Sequence, residues 1–187
     1  MTFEQLTRQR KTAGSRLMAA TVGQKMSEIR KQSIKDAFVD FNSMKHRCEH
    51  ISTVNDVDYY DDSAAVSTSA TWFSFENIGR PVVWIAGDGI DNVDYEELIP
   101  MVKRYVKAIV CVGDNVASLH SAFDNLMQGK IFDAKNIAEA VVKASGLASN
   151  NVEAVLFSPG CDVGESYCDC SERASCFKDN VMKMNNI

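Results

Sequence analysis

The chain has 187 residues, 45% hydrophobic and 24% charged, with a formal net charge of −5. That length suits one compact domain plus an appendage, and the composition is that of a globular protein, which excludes a fibrous or wholly disordered chain. No stretch is apolar enough to span a bilayer and the first twenty residues hold no apolar signal core, so a cytosolic protein without a membrane partner is expected.

The six cysteines are then expected as thiols or ligands, not as a disulfide framework. Residues 1–50 carry ten Lys/Arg against five Asp/Glu, and the remainder ten against twenty. The basic residues lie along helical faces without interleaved aromatics, and the main body is acidic. This argues against nucleic acid as the principal partner.

In chain order, residues 15–41 read as helices. Val22, Met26 and Ile29 form one stripe, Ile34, Phe38 and Phe41 a second, with Ser33 and Asp36 as a capping box. After His46 the pattern changes to short apolar runs alternating with helical stretches. Residues 51–54 and 57–60 flank Asn55-Asp56, a hairpin signal. The tract from Tyr59 to Trp72 brings Asp61, Asp62 and Ser63 to the C-terminal end of a strand, where open α/β sheets place ligand sites. A helix is predicted over 67–77 and a buried strand over 81–86, leading into Gly87-Asp88-Gly89. An amphipathic segment over 94–105 precedes a second buried strand over 108–112. Helices follow over 116–127 and 133–148, the latter with Asp133 as N-cap. A last strand over 154–157 ends in Ser158-Pro159-Gly160, and a final helix spans 171–184. Short apolar strands alternating with helices predict a three-layer, Rossmann-like α/β fold. Its sheet is mostly parallel, with an antiparallel hairpin at the start and helices before it.

Five landmarks in order carry a family resemblance: His46-Arg47 with Glu49, Asp61-Asp62-Ser63, Ile85-Ala86-Gly87 with Asp94-Tyr95, Ser158-Pro159-Gly160-Cys161, and Glu172-Arg173 with Phe177. From residue 41 to residue 184 the chain resembles the C-terminal domain of the Mur ligases, in the branch that adds D-glutamate to a UDP-muramoyl peptide. The resemblance implies two domains: 1–43, a helical remnant of the ATP-binding central domain, and 44–187, a C-terminal-type α/β domain. It also implies ATP or ADP and magnesium as family cofactors, and an ATP-dependent amide-bond-forming activity. Arg47 would lie near the nucleotide and Asp62 near its ribose. Both residue types suit those tasks, a guanidinium stacking or pairing with phosphate and a carboxylate accepting two hydroxyl hydrogen bonds.

The departures from the family pattern fall on the acidic amino-acid pocket. Of the positions implied there, Ser63 and Ser158 are kept. Ala64 replaces a lysine, Val66 a threonine, Asp91 a second lysine, Val163 a serine and Cys170 an aromatic residue. A dicarboxylate needs cations and hydroxyl donors, and each lost charge-assisted hydrogen bond costs roughly 1.5–3 kcal/mol. Several together remove powers of ten in affinity. No Gly-x-x-x-x-Gly-Lys-Ser/Thr loop is present, so this chain alone is not expected to hold or hydrolyse ATP. The resulting expectation has no catalytic residue and no resident cofactor. It is a degenerate ligase-type domain binding an adenine nucleotide, a UDP-muramoyl-type ligand or a protein partner. One alternative is the C-terminal portion of a working ligase. Another is a metal or redox protein using Cys161, Cys168, Cys170 and Cys176, whose spacing lacks paired Cys-x-x-Cys knuckles. Among the aromatics, Trp72, Phe73, Phe75 and Trp84 read as core, and His120 as a surface or packed histidine.

Overall fold

The computed structural model describes residues 45–90, 93–114, 116–148 and 152–184. They belong to one of two compact units, Met44–Ile187. The helices read over 15–41 and the Asp91 position lie outside the described residues.

β1 (Glu49–Val54) and β2 (Val57–Asp61) pair antiparallel across Asn55-Asp56. Both turn residues take positive φ, 51° and 63°, which is what a two-residue hairpin matching the strand twist requires. α1 (Thr68–Ile78) follows, capped by the Ser67 hydroxyl, which accepts from the Ala70 N–H, and closed by Gly79 at φ 63°. Then come β3 (Val82–Gly87), a 3-10 turn (Glu96–Leu98), α2 (Ile99–Tyr105), β4 (Val106–Val112), α3 (Ala117–Met127), β5 (Ile131–Ala134), α4 (Ile137–Leu147), β6 (Ala154–Phe157) and α5 (Cys170–Met184). The strand order is β1-β2-β6-β3-β4-β5. All pairings beyond the first hairpin are parallel.

The sheet is covered on both faces, as its continuous apolar strands require. Val83 and Ile85 of β3 point toward α4 and α5, in a core with Phe157, Phe177 and Val181. Val82, Trp84 and Ala86 point the other way, toward α1, α2 and α3. Trp84 meets Phe75 and Phe123 edge-to-face at 5.3 and 5.6 Å, and its indole N–H donates to the Ser158 carbonyl at 2.8 Å. From β3 the chain runs outward through β4 and β5, then returns to place β6 on the other side of β3. The topological switch therefore lies between β3 and β6, and the crevice beyond their C-terminal ends is where such sheets bind ligands.

Two sequence expectations are corrected. Asp133 does not cap a helix: it lies in β5, and Asn136 caps α4, its side chain accepting from the Glu139 N–H at 2.9 Å. A four-residue edge strand with Ala134 as its one buried residue leaves no periodic signal, so the helical pattern was extended back across it. Phe73 is not core; it is 42% exposed, while Phe75 and Trp84 are fully buried. Among the described residues no helix is long and apolar enough to cross a membrane.

Candidate functional site

The tract after β2 folds into a buried polar junction. Asp62 is fully buried and Arg47 is 5% exposed. Arg47 Nη1 stands 3.2 Å from Asp62 Oδ1, and Arg47 Nη2 donates to the Ala70 carbonyl at 3.3 Å. The other Asp62 oxygen accepts from the Ser74 hydroxyl at 2.5 Å and the Ser158 hydroxyl at 2.6 Å. Ser158 is in turn 2.8 Å from Thr71 Oγ1, and the Cys48 N–H donates to Asp62 Oδ1 at 3.3 Å. One carboxylate thus ties together the turn before β1, the end of β2, α1 and the end of β6. Burial pushes the Asp62 carboxyl up to about 6, against the opposing pull of Arg47, Ser158, Ser74 and the Cys48 N–H. Burial also lowers the Arg47 pKa, offset in part by Asp62.

Asp61 makes a second, adjoining junction. One oxygen accepts from the Ser63 N–H at 3.0 Å and from the Ser63 hydroxyl. The other pairs with His46 Nδ1 at 3.0 Å and with Lys178 Nζ at 3.5 Å. Lys178 also holds Glu49 at 2.9 Å. The backbone carbonyl of buried Ser63 accepts from Arg173 Nη2 at 2.8 Å. Arg173 is fully buried on α5, and its Nε and Nη1 have no hydrogen-bond partner. Its charge faces buried Asp88, whose Oδ2 is likewise unpartnered. Burial raises the Asp88 pKa, while Tyr167 and Arg173 lower it.

Beyond the C-terminal ends of β3 and β4 lies a cavity of about 590 Å³, lined by Asp88, Gly89, Ile90, Val112, Gly113, Asp114, Gly164, Glu165 and Ser166. The loops after β3 and β6 meet at its edge, where Gly89 and Val163 form an isolated antiparallel bridge. They pack so closely that a Cβ on Gly89 would stand 1.9 Å from the Asp162 carbonyl oxygen. Only glycine admits this approach. Three carboxylates line the cavity and, among the described residues, no lysine or arginine does.

The structure thus brings Arg47, Asp62 and Ser158 into one network, with Ser63 beside it. Ala64 is half-buried, its N–H donating to the His46 carbonyl at 3.1 Å, and Val66 is 43% exposed. Val163 sits in the loop bridge and Cys170 opens α5. Thr71, Ser74 and Lys178 had not been singled out in the sequence. Thr71 and Ser74 lie three residues apart on α1, and a polar pair at that spacing on an apolar helix face is the signal that could have marked them. Arg173 was noted only as a motif residue; its burial beneath Ser63 is visible only in the fold. Cys161 is buried, Cys168 exposed, and Cys170 and Cys176 half-buried. Among the described residues these four do not converge on one metal position.

The nucleotide contacts implied for Arg47 and Asp62 meet a different geometry here. Both Asp62 oxygens are occupied within the protein and neither is exposed. The residues present do not supply a triphosphate cradle, since no phosphate loop occurs in the chain and the cavity is acidic.

No protein-family model matches the chain. It is 32% identical over 185 residues to a UDP-N-acetylmuramoylalanine–D-glutamate ligase of Christiangramia forsetii, a match covering 98% of this chain and 41% of that enzyme. It is 33% identical over 159 residues to the ligase of the same name from Chloroherpeton thalassium, covering 83% of this chain and 33% of the relative. In three dimensions it is similar to a Mycobacterium tuberculosis folylpolyglutamate synthase complexed with ADP. There the TM-score is 0.55 and the identity 12%, over 74% of this chain and 32% of the synthase. Sequence and fold together make the chain a relative of the Mur ligases. Its sequence similarity is to the D-glutamate-adding ligases, of whose length it spans about two fifths in the first comparison; its fold is consistent with their C-terminal domain.

Proposed function

We propose that residues 44–187 form a Mur-ligase C-terminal-type domain that does not by itself catalyse amide-bond formation and acts as a ligand-binding or interaction module, with 1–43 a remnant of a central domain. The observation that carries this reading is the acidic lining of the cavity at the sheet's C-terminal rim. Asp88, Asp114 and Glu165 face a space where an acidic co-substrate would need cations. Ala64, Val66, Val163 and Cys170 add no cation either. Arg173 lies beside this region, but it is wholly buried, is bound to the Ser63 carbonyl and faces Asp88. In this reading Asp62 and Arg47 have become a structural tie, and adenine nucleotide binding would require Arg47 to leave its carboxylate. The ligand classes that fit the ancestry are an adenine nucleotide or a UDP-muramoyl-type compound, each bound weakly.

A second reading, a C-terminal portion of a working ligase, is favoured by one observation: the match runs through 98% of the chain. There the retained junction would serve domain closure over a nucleotide held elsewhere.

A thermal-shift screen of the purified chain against ADP, a UDP-muramoyl peptide and acidic amino acids tests the proposal. The expected result is no stabilisation by D-glutamate or L-glutamate at millimolar concentration, whatever the response to the two nucleotides. Stabilisation by an acidic amino acid that rises with its concentration overturns the proposal, since ligand binding to the native state raises the melting temperature by mass action.

A further inference from the structure

At the opposite edge of the sheet a second group of side chains converges, one that the ligase relationship leaves unused. Cys111 stands on β4, His120 on α3 and Asp133 on β5. One donor atom from each lies within 4.8 Å of the other two. Cys111 is fully buried and His120 half-buried, while Asp133 is exposed. The imidazole is held from both sides, with Nε2 2.8 Å from Asp133 Oδ1 and Nδ1 2.8 Å from Asp124 Oδ1.

We propose that Cys111, His120 and Asp133 form a site for a zinc-class divalent cation at the edge formed by β4, α3 and β5, with Asp124 orienting the imidazole. Three observations meet in this assignment. The donor set is one sulfur, one nitrogen and one oxygen on three separate elements, a mixture that suits zinc and that magnesium or calcium, which take oxygen donors, would not select. Next, both ring nitrogens face a carboxylate, an arrangement that a protonated imidazole satisfies without a metal and that a metal-bound one can satisfy too. With Nε2 on a metal, Nδ1–H donates to Asp124 and every atom is satisfied, the carboxylate–histidine–metal arrangement. Finally, two carboxylates flank the spot, and their field favours a cation.

Zinc bond lengths of roughly 2.0–2.3 Å place adjacent donors nearer than 4.8 Å, so the group must contract by about an ångström at its widest. Asp133 and His120, the two with freedom at the surface, can make that adjustment while Cys111 stays fixed in the strand. Three protein donors leave the fourth tetrahedral position open toward solvent. Of the described residues, His46, Glu49 and Asp61 form the other such group. Lys178 already supplies its cation, at 2.9 Å from Glu49 and 3.5 Å from Asp61.

The metal-stripped 187-residue chain, dialysed against micromolar zinc and then counted for metal, should take up one ion per chain. Cobalt in its place should give a sulfur-to-cobalt charge-transfer band. His120→Ala and Cys111→Ser should each lose the ion, and Cys111→Ser the band. Asp124→Asn should weaken zinc binding about 10–100-fold. A Cys168→Ser/Cys170→Ser double variant should bind as the parent does. His120 is partly exposed on a helix, so circular dichroism of His120→Ala confirms that any loss is not unfolding. Failure of the parent to take up zinc, uptake unchanged in His120→Ala, cobalt binding without the thiolate band, or loss of zinc in the Cys168/Cys170 variant would each overturn the assignment.

Discussion

Replacing Asp62 with alanine should lower the stability of the domain by about 3–5 kcal/mol, the cost of removing one partner from a buried ion pair. The substitution leaves the Arg47 guanidinium, 5% exposed, without its carboxylate, and takes the shared acceptor from Ser74 and Ser158. Urea denaturation followed by circular dichroism measures it. A double variant, Asp62→Leu with Arg47→Met, should cost less than Asp62→Ala alone, because removing both charges leaves no orphan. The penalty also depends on pH in a definite sense. Because the folded-state pKa of Asp62 is raised, to about 6 from an ordinary 3.8, the protonated group favours folding. That contribution is complete below about pH 3.8 and is lost as pH rises through about 6. The cost of Asp62→Ala should therefore be larger at pH 4 than at pH 7. A cost under about 1 kcal/mol at both pH values would mean that the junction does not hold these four segments together.

Trp84→Ala should be of similar size, about 3–5 kcal/mol. Trp84 is the largest fully buried side chain, placed edge-to-face against Phe75 and Phe123 in the middle of the sheet. Its loss opens a cavity and strips the Ser158 carbonyl of the indole N–H, so the loop after β6 loses one of its fixed points. For a domain of this size the melting temperature should fall by about 10–15 °C. Phe73→Ala is the matched control. Phe73 is 42% exposed on α1, and its removal should cost less than about 1 kcal/mol. Equal losses at the two positions would mean that the packing described around Trp84 is wrong.

How far the sequence carried this reading depends on the physics of each element. β3 and β6 are continuous apolar runs buried on both faces, and β6 was placed at 154–157, where it lies. Asn55-Asp56 announced its hairpin because few residue pairs tolerate two positive φ values in succession. β5 was invisible: four residues, one of them buried, carry no period. At the site, motif order located Arg47, Asp62 and Ser158, but not that they would bond to one another. That pairing joins residues 15 and 96 positions apart, a separation that no local pattern encodes. The acidity of the cavity was half legible, since Asp88 stands in the Gly87-Asp88-Gly89 run that follows a strand in the sequence, whereas Asp114 and Glu165 reach the same space only through the crossover topology. The meeting of Cys111, His120 and Asp133 was hidden for the same reason, and the misplacement of Asp133 on a helix hid it further.

The proposal that an amino-acid-adding scaffold has lost its grip on an acidic co-substrate is tested most directly by calorimetric titration of the 187-residue chain with D-glutamate. With three carboxylates and no base lining the described cavity, no saturable heat is predicted up to several millimolar ligand. A saturable isotherm with one site per chain and a Kd below a millimolar would contradict it.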